Sequence, residues 1–163
     1  MKERLTSRAA IDGSAGGYDA LAMEELSERV AAEVAVLEAN RDFYLAFSNG
    51  DFDAMSRLWA AQAPTVCMHP GLPPIVGRSA VLGSWKQILG PSAEWELSCR
   101  APRVHVLGNS AFVTCLEASG DNPAHLAATN IFVFEDGQWR MVHHQAGPLS
   151  EPVPAKSARD ASN

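Results

Sequence analysis

Glu117 breaks an apolar run, Phe112-Val113-Thr114-Cys115-Leu116. A carboxylate in such a strand either reaches water at the strand end or is held by a partner, because burying it alone is costly. Enclosed, it would have its pKa raised towards that of a general acid or base. His69 and His144 could meet Glu117 across a pocket, and two imidazoles with one carboxylate suit a non-haem metal. The adjacent pair His143-His144 points to opposite faces of a strand, however, and no H-x-H or H-x₃-H spacing is present, so no metal site is expected. Nor is there a Gly-rich phosphate loop or a Ser-His-Asp order, so no cofactor is expected either. Acid–base chemistry on a carbonyl compound would need Glu117 or His144 as the catalytic base. Asn130, His69 or Tyr44 would be donors towards a developing oxyanion. Tyr44, Trp59, Trp85 and Phe132 are ordinary core aromatics that become pocket walls if the interior is hollow. Cys67 and Cys115 lie in apolar strands with no cation beside them in sequence, which favours inert packing over nucleophilic chemistry; Cys115 would then also line the pocket.

Strand parity sorts these candidates. Val113, Cys115 and Glu117 share one face, and Ala128, Asn130 and Phe132 share the matching face of the next segment. On the last strand the matching set is either Val142, His144, Ala146 or Met141, His143, Gln145. A two-residue Asp136-Gly137 loop pairs Asn130 with His143. A three-residue Glu135-Asp136-Gly137 loop with a bulge at Gly137 pairs Asn130 with Val142 and sets His144 on the Asn130 face. Both hairpins fit the residues.

The elements that position them follow from periodicity. From about Glu25 a helical stripe runs through Leu26, Val30, Val34 and Leu37 and continues in Phe43, Tyr44 and Phe47; Asn40 or Arg41 lies on it, and either could reach out to solvent. Asn49-Gly50 ends this helix, and Asp51 caps a short second one. Thr65 to His69 reads as a short strand stopped by Pro70-Gly71. A third helix follows Gly77, carries Val81, Leu82, Trp85, Ile88 and Leu89, and closes at Gly90-Pro91. The period then changes from 3.6 to 2. Four segments, about 94–107, 110–119, 124–135 and 138–146, are separated by Gly108-Asn109, Gly120 to Pro123 and Asp136-Gly137, which predicts an antiparallel meander. The expected layout is a flexible arm over 1–24, an α+β domain over 25–147 with helices on one sheet face, and a flexible tail over 148–163.

Composition narrows the classes. The chain has 163 residues, 47% of them hydrophobic and 20% charged, enough for one domain and unlike a disordered chain. Thirteen basic against nineteen acidic residues, net −6 and without a Lys/Arg cluster, argue against a nucleic-acid partner. No apolar run approaches about 18 residues, so no membrane partner is expected. The first residues lack the apolar core of a signal peptide. Cys67, Cys99 and Cys115, scattered and odd in number, read as reduced thiols of a cytoplasmic protein.

Ala46-Phe47-Ser48-Asn49-Gly50-Asp51-Phe52-Asp53-Ala54-Met55 resembles the opening helix–turn–helix of the nuclear transport factor 2-like (SnoaL-like) superfamily, and Asp136 to His144 resembles its last hairpin. His69-Pro70-Gly71 and Val76-Gly77-Arg78, opening the helix that carries Trp85, also sit where small bacterial SnoaL-like proteins have them. The resemblance covers about residues 33 to 147. It implies a cystatin-like cone, a curved antiparallel sheet around a ligand-binding pocket closed by three helices. It favours the hairpin that sets His144 inward. Members include Δ5-ketosteroid isomerase, polyketide cyclases, dehydratases and the association domain of calcium/calmodulin-dependent kinase II. In that association domain pocket arginines match Glu117, Asn130 and Ala146, and this chain keeps none of them. The implied functions are an acid–base enzyme acting on a small apolar or carbonyl-bearing molecule, a non-catalytic ligand-binding or oligomerisation module, or a structural protein with a vestigial cavity. The outer sheet face, with Phe112, Thr114 and Leu116 beside Thr129, Ile131 and Val133, predicts a homodimer.

Overall fold

Local turn chemistry sets the frame. In the computed structural model, which describes residues 15–90 and 96–155, helix α1 (Ala15–Ser48) ends at Gly50, whose φ of 62° is open to glycine at little cost. Asp51 then caps α2 (Phe52–Leu58), its carboxylate accepting from the Ala54 amide at 2.8 Å. Strands β1 (Val66–Met68) and β2 (Ile75–Val76) precede α3 (Arg78–Ile88). Strands β3 (Leu97–Leu107), β4 (Ser110–Ser119), β5 (Ala124–Glu135) and β6 (Gln138–Val153) follow.

These strands form one curved six-stranded sheet in the order β2-β1-β6-β5-β4-β3. The expected meander is present as β3 to β6, but the sheet is mixed rather than wholly antiparallel. β1 lies parallel to β6, with Cys67 opposite His144. The long connection through α3 and four strands leaves room for that crossover. The two-residue strand β2, which Pro73-Pro74 disguised as a merely extended stretch, pairs with β1. α1 begins ahead of Glu25, and β6 runs past 147 to Val153, where it meets Ala124. Residues 1–14 of the expected arm, 156–163 of the expected tail, and Pro91, 94 and 95 lie outside the described residues. Among the described residues no helix is long and apolar enough to cross a membrane.

The last hairpin differs from both expectations. Asp136 (φ 51°) and Gly137 (φ 77°) form a two-residue turn that joins Glu135 to Gln138. The pairing stays regular to Phe132 opposite Met141, then shifts, so that Ile131 faces His143 and Asn130 faces His144. The bulge is therefore at Val142, not Gly137. His144 lies on the Asn130 face as the resemblance implied, by a different route.

The core lies between the helices and the concave sheet face. Val36, Phe43 and Tyr44 from α1, Met55, Trp59 and Trp85 from the other helical segments, and Val113, Phe132 and Met141 from the strands are buried. Each large side chain contributes roughly 1.5–3 kcal/mol by leaving water. Leu26, Val30 and Val34, expected on the packing stripe, are instead 47–51% exposed. Residues 19 to 31 are exposed on every face, and packing begins only in the second half of α1, where Val36, Asn40, Phe43 and Tyr44 are buried and Leu37 and Phe47 partly so. The Glu135 carboxylate accepts from the Ala61, Gln62 and Ala63 amides at 2.8–3.2 Å, tying the hairpin tip to the loop after α2. Those amides hold its pKa below the usual carboxylate range.

Candidate functional site

One continuous polar network crosses the buried interior. The register places Cys115 and Glu117 on β4, Asn130 on β5 and His144 on β6 along the concave face, and α1 lays Asn40 and Tyr44 across them. Tyr44 Oη donates to Glu117 Oε1 at 2.8 Å and lies 3.1 Å from Cys115 Sγ. The Asn130 amide nitrogen donates to Asn40 Oδ1 at 2.7 Å and to Tyr44 Oη at 3.3 Å. Its oxygen therefore accepts from His144 Nδ1, 2.6 Å away, which fixes the His144 proton on Nδ1 and leaves Nε2 as an acceptor.

Burial controls the charges. Glu117 is 3% exposed, and desolvation pushes its pKa up to about 7, opposed by the hydrogen bond from Tyr44. The Tyr44 hydroxyl is driven above its ordinary value by burial and by the neighbouring carboxylate, so it stays protonated. Burial, with His69 and His143 nearby, lowers His144 to about 3 and keeps it neutral. At neutral pH the interior thus holds one carboxyl group near its midpoint, between a phenol that keeps its proton and an imidazole that takes none.

A second group adjoins this network. Ser84 Oγ donates to the Val81 carbonyl and lies 3.0 Å from His69 Nε2, so the imidazole donates to the hydroxyl. Burial lowers the His69 pKa. Trp85 stands edge-on to His69 at 4.7 Å and lies 5.7 Å from His144. Its indole Nε1, like that of Trp59 and like Thr65 Oγ1, is buried without a hydrogen-bond partner.

Among the sequence candidates, Glu117, Tyr44, Cys115, Asn130 and His144 come together, with His69 and Trp85 beside His144. Phe132 is fully buried in the core. Trp59 bridges to Met141 on β6 and joins the aromatic core without bonding to the network. The space in front of His144 is occupied by Phe43 and Trp85, whose rings lie 4.9 and 5.7 Å from the imidazole. A cleft of about 440 Å³ reaches the network from the side, between α1 and β3, lined by Leu37, Asn40, Tyr44, Cys99 and Pro102 among others. Cys67 hydrogen-bonds only weakly to the His69 ring, at 3.8–3.9 Å, and burial pushes its thiol up to about 12. Among the described residues no group of three or more His, Cys, Asp or Glu is disposed to hold a metal ion.

Sequence reading missed Cys99 and Ser84 and left Asn40 undecided. Asn40 sits three and four residues before the buried Phe43 and Tyr44, which is the helical signal for an inward polar residue.

Residues 36–151 match the model of the SnoaL-like domain. The F-box protein SKIP8 of Arabidopsis thaliana is 26% identical over 122 residues, 75% of this chain; the chain spans about half (53%) of that relative's length. A solved structure of the NTF2-like family from Streptomyces avermitilis, whose name proposes a dehydratase, is 31% identical, with TM-score 0.69 over 76% of this chain and 99% of that one. A structure from Thiobacillus denitrificans, named for a proposed calcium/calmodulin-dependent kinase II association domain, is 32% identical, with TM-score 0.58 over 69% of this chain and 93% of that one.

Proposed function

The chain belongs to the SnoaL-like domain family, and from that premise we propose that it is a small-molecule enzyme of the isomerase, cyclase or dehydratase kind, working by acid–base chemistry. The observation that carries this reading is the Glu117 carboxyl, buried, hydrogen-bonded to Tyr44 and titrating at about 7. A general acid or base works best when its pKa lies near the operating pH, and here burial supplies the adjustment. A small apolar or carbonyl-bearing ligand would enter the cleft between α1 and β3. Glu117 exchanges a proton with it, and Tyr44, which keeps its own proton, donates to the developing oxyanion. His144, walled in by Phe43 and Trp85, anchors the Asn130 amide behind the reacting groups. The 31% identical protein whose name proposes a dehydratase supports the reaction class.

The test is a thermal-shift screen of the full chain against small ketones, enones and carboxylic acids, with the hits assayed for proton exchange at the carbon next to the carbonyl. Ligands that stabilise the native chain and lose both binding and exchange in Glu117→Gln support the reading. Exchange that survives in Glu117→Gln overturns it.

A second reading, a non-catalytic oligomerisation module, is supported by the 32% identical structure named for an association domain. The convex sheet face also carries half-buried Phe112, Leu116, Ile131 and Val133, a surface suited to a two-fold partner. A homodimer through that face fits either function. A cytoplasmic site of action fits the free thiols of Cys67, Cys99 and Cys115.

A further inference from the structure

Cys99 and Cys115 stand on the neighbouring strands β3 and β4. The ladder sets Cys99 opposite Glu117 and Arg100 opposite Leu116, so Cys115 lies diagonally across from Cys99 on the concave face. The register then shifts between Arg100 and Arg103, where Ala101 adopts φ 49°. The two thiols thus share one face of adjacent strands, near enough for each to perturb the other's ionisation. Cys99 is half-buried and lines the 440 Å³ cleft, and its sulfur accepts from Asn40 Nδ2 at 3.5 Å. Cys115 is buried behind it, with its sulfur 3.1 Å from Tyr44 Oη, which in turn donates to Glu117 Oε1. One thiol is thus within reach of a molecule in the cleft. The other is backed by a hydroxyl and a carboxylate in series.

We propose that Cys99 and Cys115 form a redox-active dithiol that reduces a small hydroperoxide entering the cleft between α1 and β3. This activity is separate from the acid–base reading, since carbonyl chemistry needs no thiol. The Cys99 thiolate attacks the outer peroxide oxygen. The O–O bond breaks and the leaving alkoxide takes a proton to become an alcohol, leaving Cys99 as a sulfenic acid. The Cys115 sulfur then attacks the Cys99 sulfur. An S–S bond forms, the S–O bond breaks, and hydroxide leaves as water. The Cys115 proton passes to Tyr44 Oη as the Tyr44 proton passes to Glu117, which releases it to the departing hydroxide; the proton that Cys99 lost on ionising is the one the alkoxide takes up. Two thiols lose two electrons and two protons, and the hydroperoxide becomes alcohol plus water. A dithiol reductant restores both thiols by exchange.

The surroundings divide these roles in the required order. The neighbouring Cys115 thiol, helped by the hydrogen bond from Asn40, lowers the Cys99 pKa against the opposing effect of burial, whereas the nearby Cys99 and burial raise that of Cys115. Cys99 ionises first and attacks first; Cys115 keeps its proton until the second step. Cys67 has no place in the pair, being buried beside His69.

The test uses the full chain, reduced with a phosphine, freed of reductant and exposed to cumene hydroperoxide or hydrogen peroxide. Remaining thiols are alkylated with N-ethylmaleimide under denaturing conditions and mapped by peptide mass spectrometry. The expected result is the loss of two alkylatable thiols per chain, a peptide pair joined through Cys99 and Cys115, and Cys67 still alkylated. Cys115→Ser should stop at a sulfenic acid on Cys99 that dimedone traps, and Cys99→Ser should lose no thiol. Three alkylatable thiols after peroxide treatment, a bond to Cys67, or a bond between two chains would each overturn the proposal. The mapping on the unmodified chain decides this even if a serine variant fails to fold.

Discussion

Glu117→Gln separates two opposing pH dependences that the native interior superimposes. In the unfolded chain the Glu117 carboxyl titrates at its ordinary value of 4.5, and in the folded chain at about 7. A raised carboxyl pKa means the native state binds the proton more tightly. Its stabilising effect is complete below 4.5 and is lost as pH rises through 7. At about 1.4 kcal/mol per pH unit, that loss amounts to about 3 kcal/mol. His144 acts in the other direction. Its pKa falls from 6.5 to about 3, so its neutral burial stabilises the fold above 6.5 and the benefit drains away as pH falls. His69, also lowered by burial, adds to that slope. Between pH 4.5 and 6.5 the carboxyl slope offsets part of the imidazole slopes, and the parent protein should gain stability with pH less steeply than the variant. Glutamine keeps the shape and accepts the Tyr44 hydrogen bond but cannot ionise. The stability difference, variant minus parent, should therefore rise by about 3 kcal/mol between pH 4 and pH 8, with the variant the more stable at the alkaline end. Urea unfolding of both proteins at several pH values measures this difference. A difference that stays constant across the range would refute the assignment of Glu117 as a buried carboxyl titrating near neutrality.

Tyr44→Phe removes the donor to Glu117 and the partner of Cys115. It should cost about 1–3 kcal/mol in urea unfolding and move the Glu117 titration still higher, as followed by carboxyl-carbon NMR. Gly137→Ala forces an alanine to a φ of 77° in the hairpin turn, in open space, and should lower stability by about 1 kcal/mol in calorimetry while leaving the His144 titration unchanged. Ile131→Glu places a charge in the centre of the convex sheet face; sedimentation should show the parent as a dimer and the variant as a monomer with unchanged circular dichroism.

The sheet was legible because its turns carry their own chemistry. Gly108 and Gly137 take the positive φ angles that Gly108-Asn109 and Asp136-Gly137 announce, and alternation between them assigned Val113, Cys115, Glu117, Asn130 and Phe132 to one face. The mixed pairing of β1 with β6 was hidden, because a three-residue strand carries no sign of which neighbour it joins. The bulge at Val142 was hidden for a different reason. It depends on how β6 accommodates the curvature of the whole sheet, and nothing in Met141-Val142-His143 distinguishes the extra residue from its neighbours.

The site shows the same division between local signal and global placement. A carboxylate among apolar residues marked Glu117 from sequence alone, because only a partner makes its burial tolerable. That partner proved to be Tyr44, on a helix 73 positions earlier in the chain, and no strand parity could have found it. The apolar period of α1 found the packed half through Leu37, Phe43, Tyr44 and Phe47 but not where packing stops. Leu26, Val30 and Val34 repeat as a core face would, yet only from Val36 onward does the helix bury side chains against the sheet. The rotation of α1 is what delivers Asn40 and Tyr44 to Asn130, Glu117 and Cys115. Rotating the packed half of α1 away would carry Asn40 out of the interior and leave the Asn130 amide without an acceptor, whereas Leu26 and Val30 lie where residues 19 to 31 are exposed on every face. The polar network and the seating of the second half of α1 therefore select each other, because any rotation that removed Asn40 and Tyr44 would leave a buried amide and a buried carboxylate without their partners.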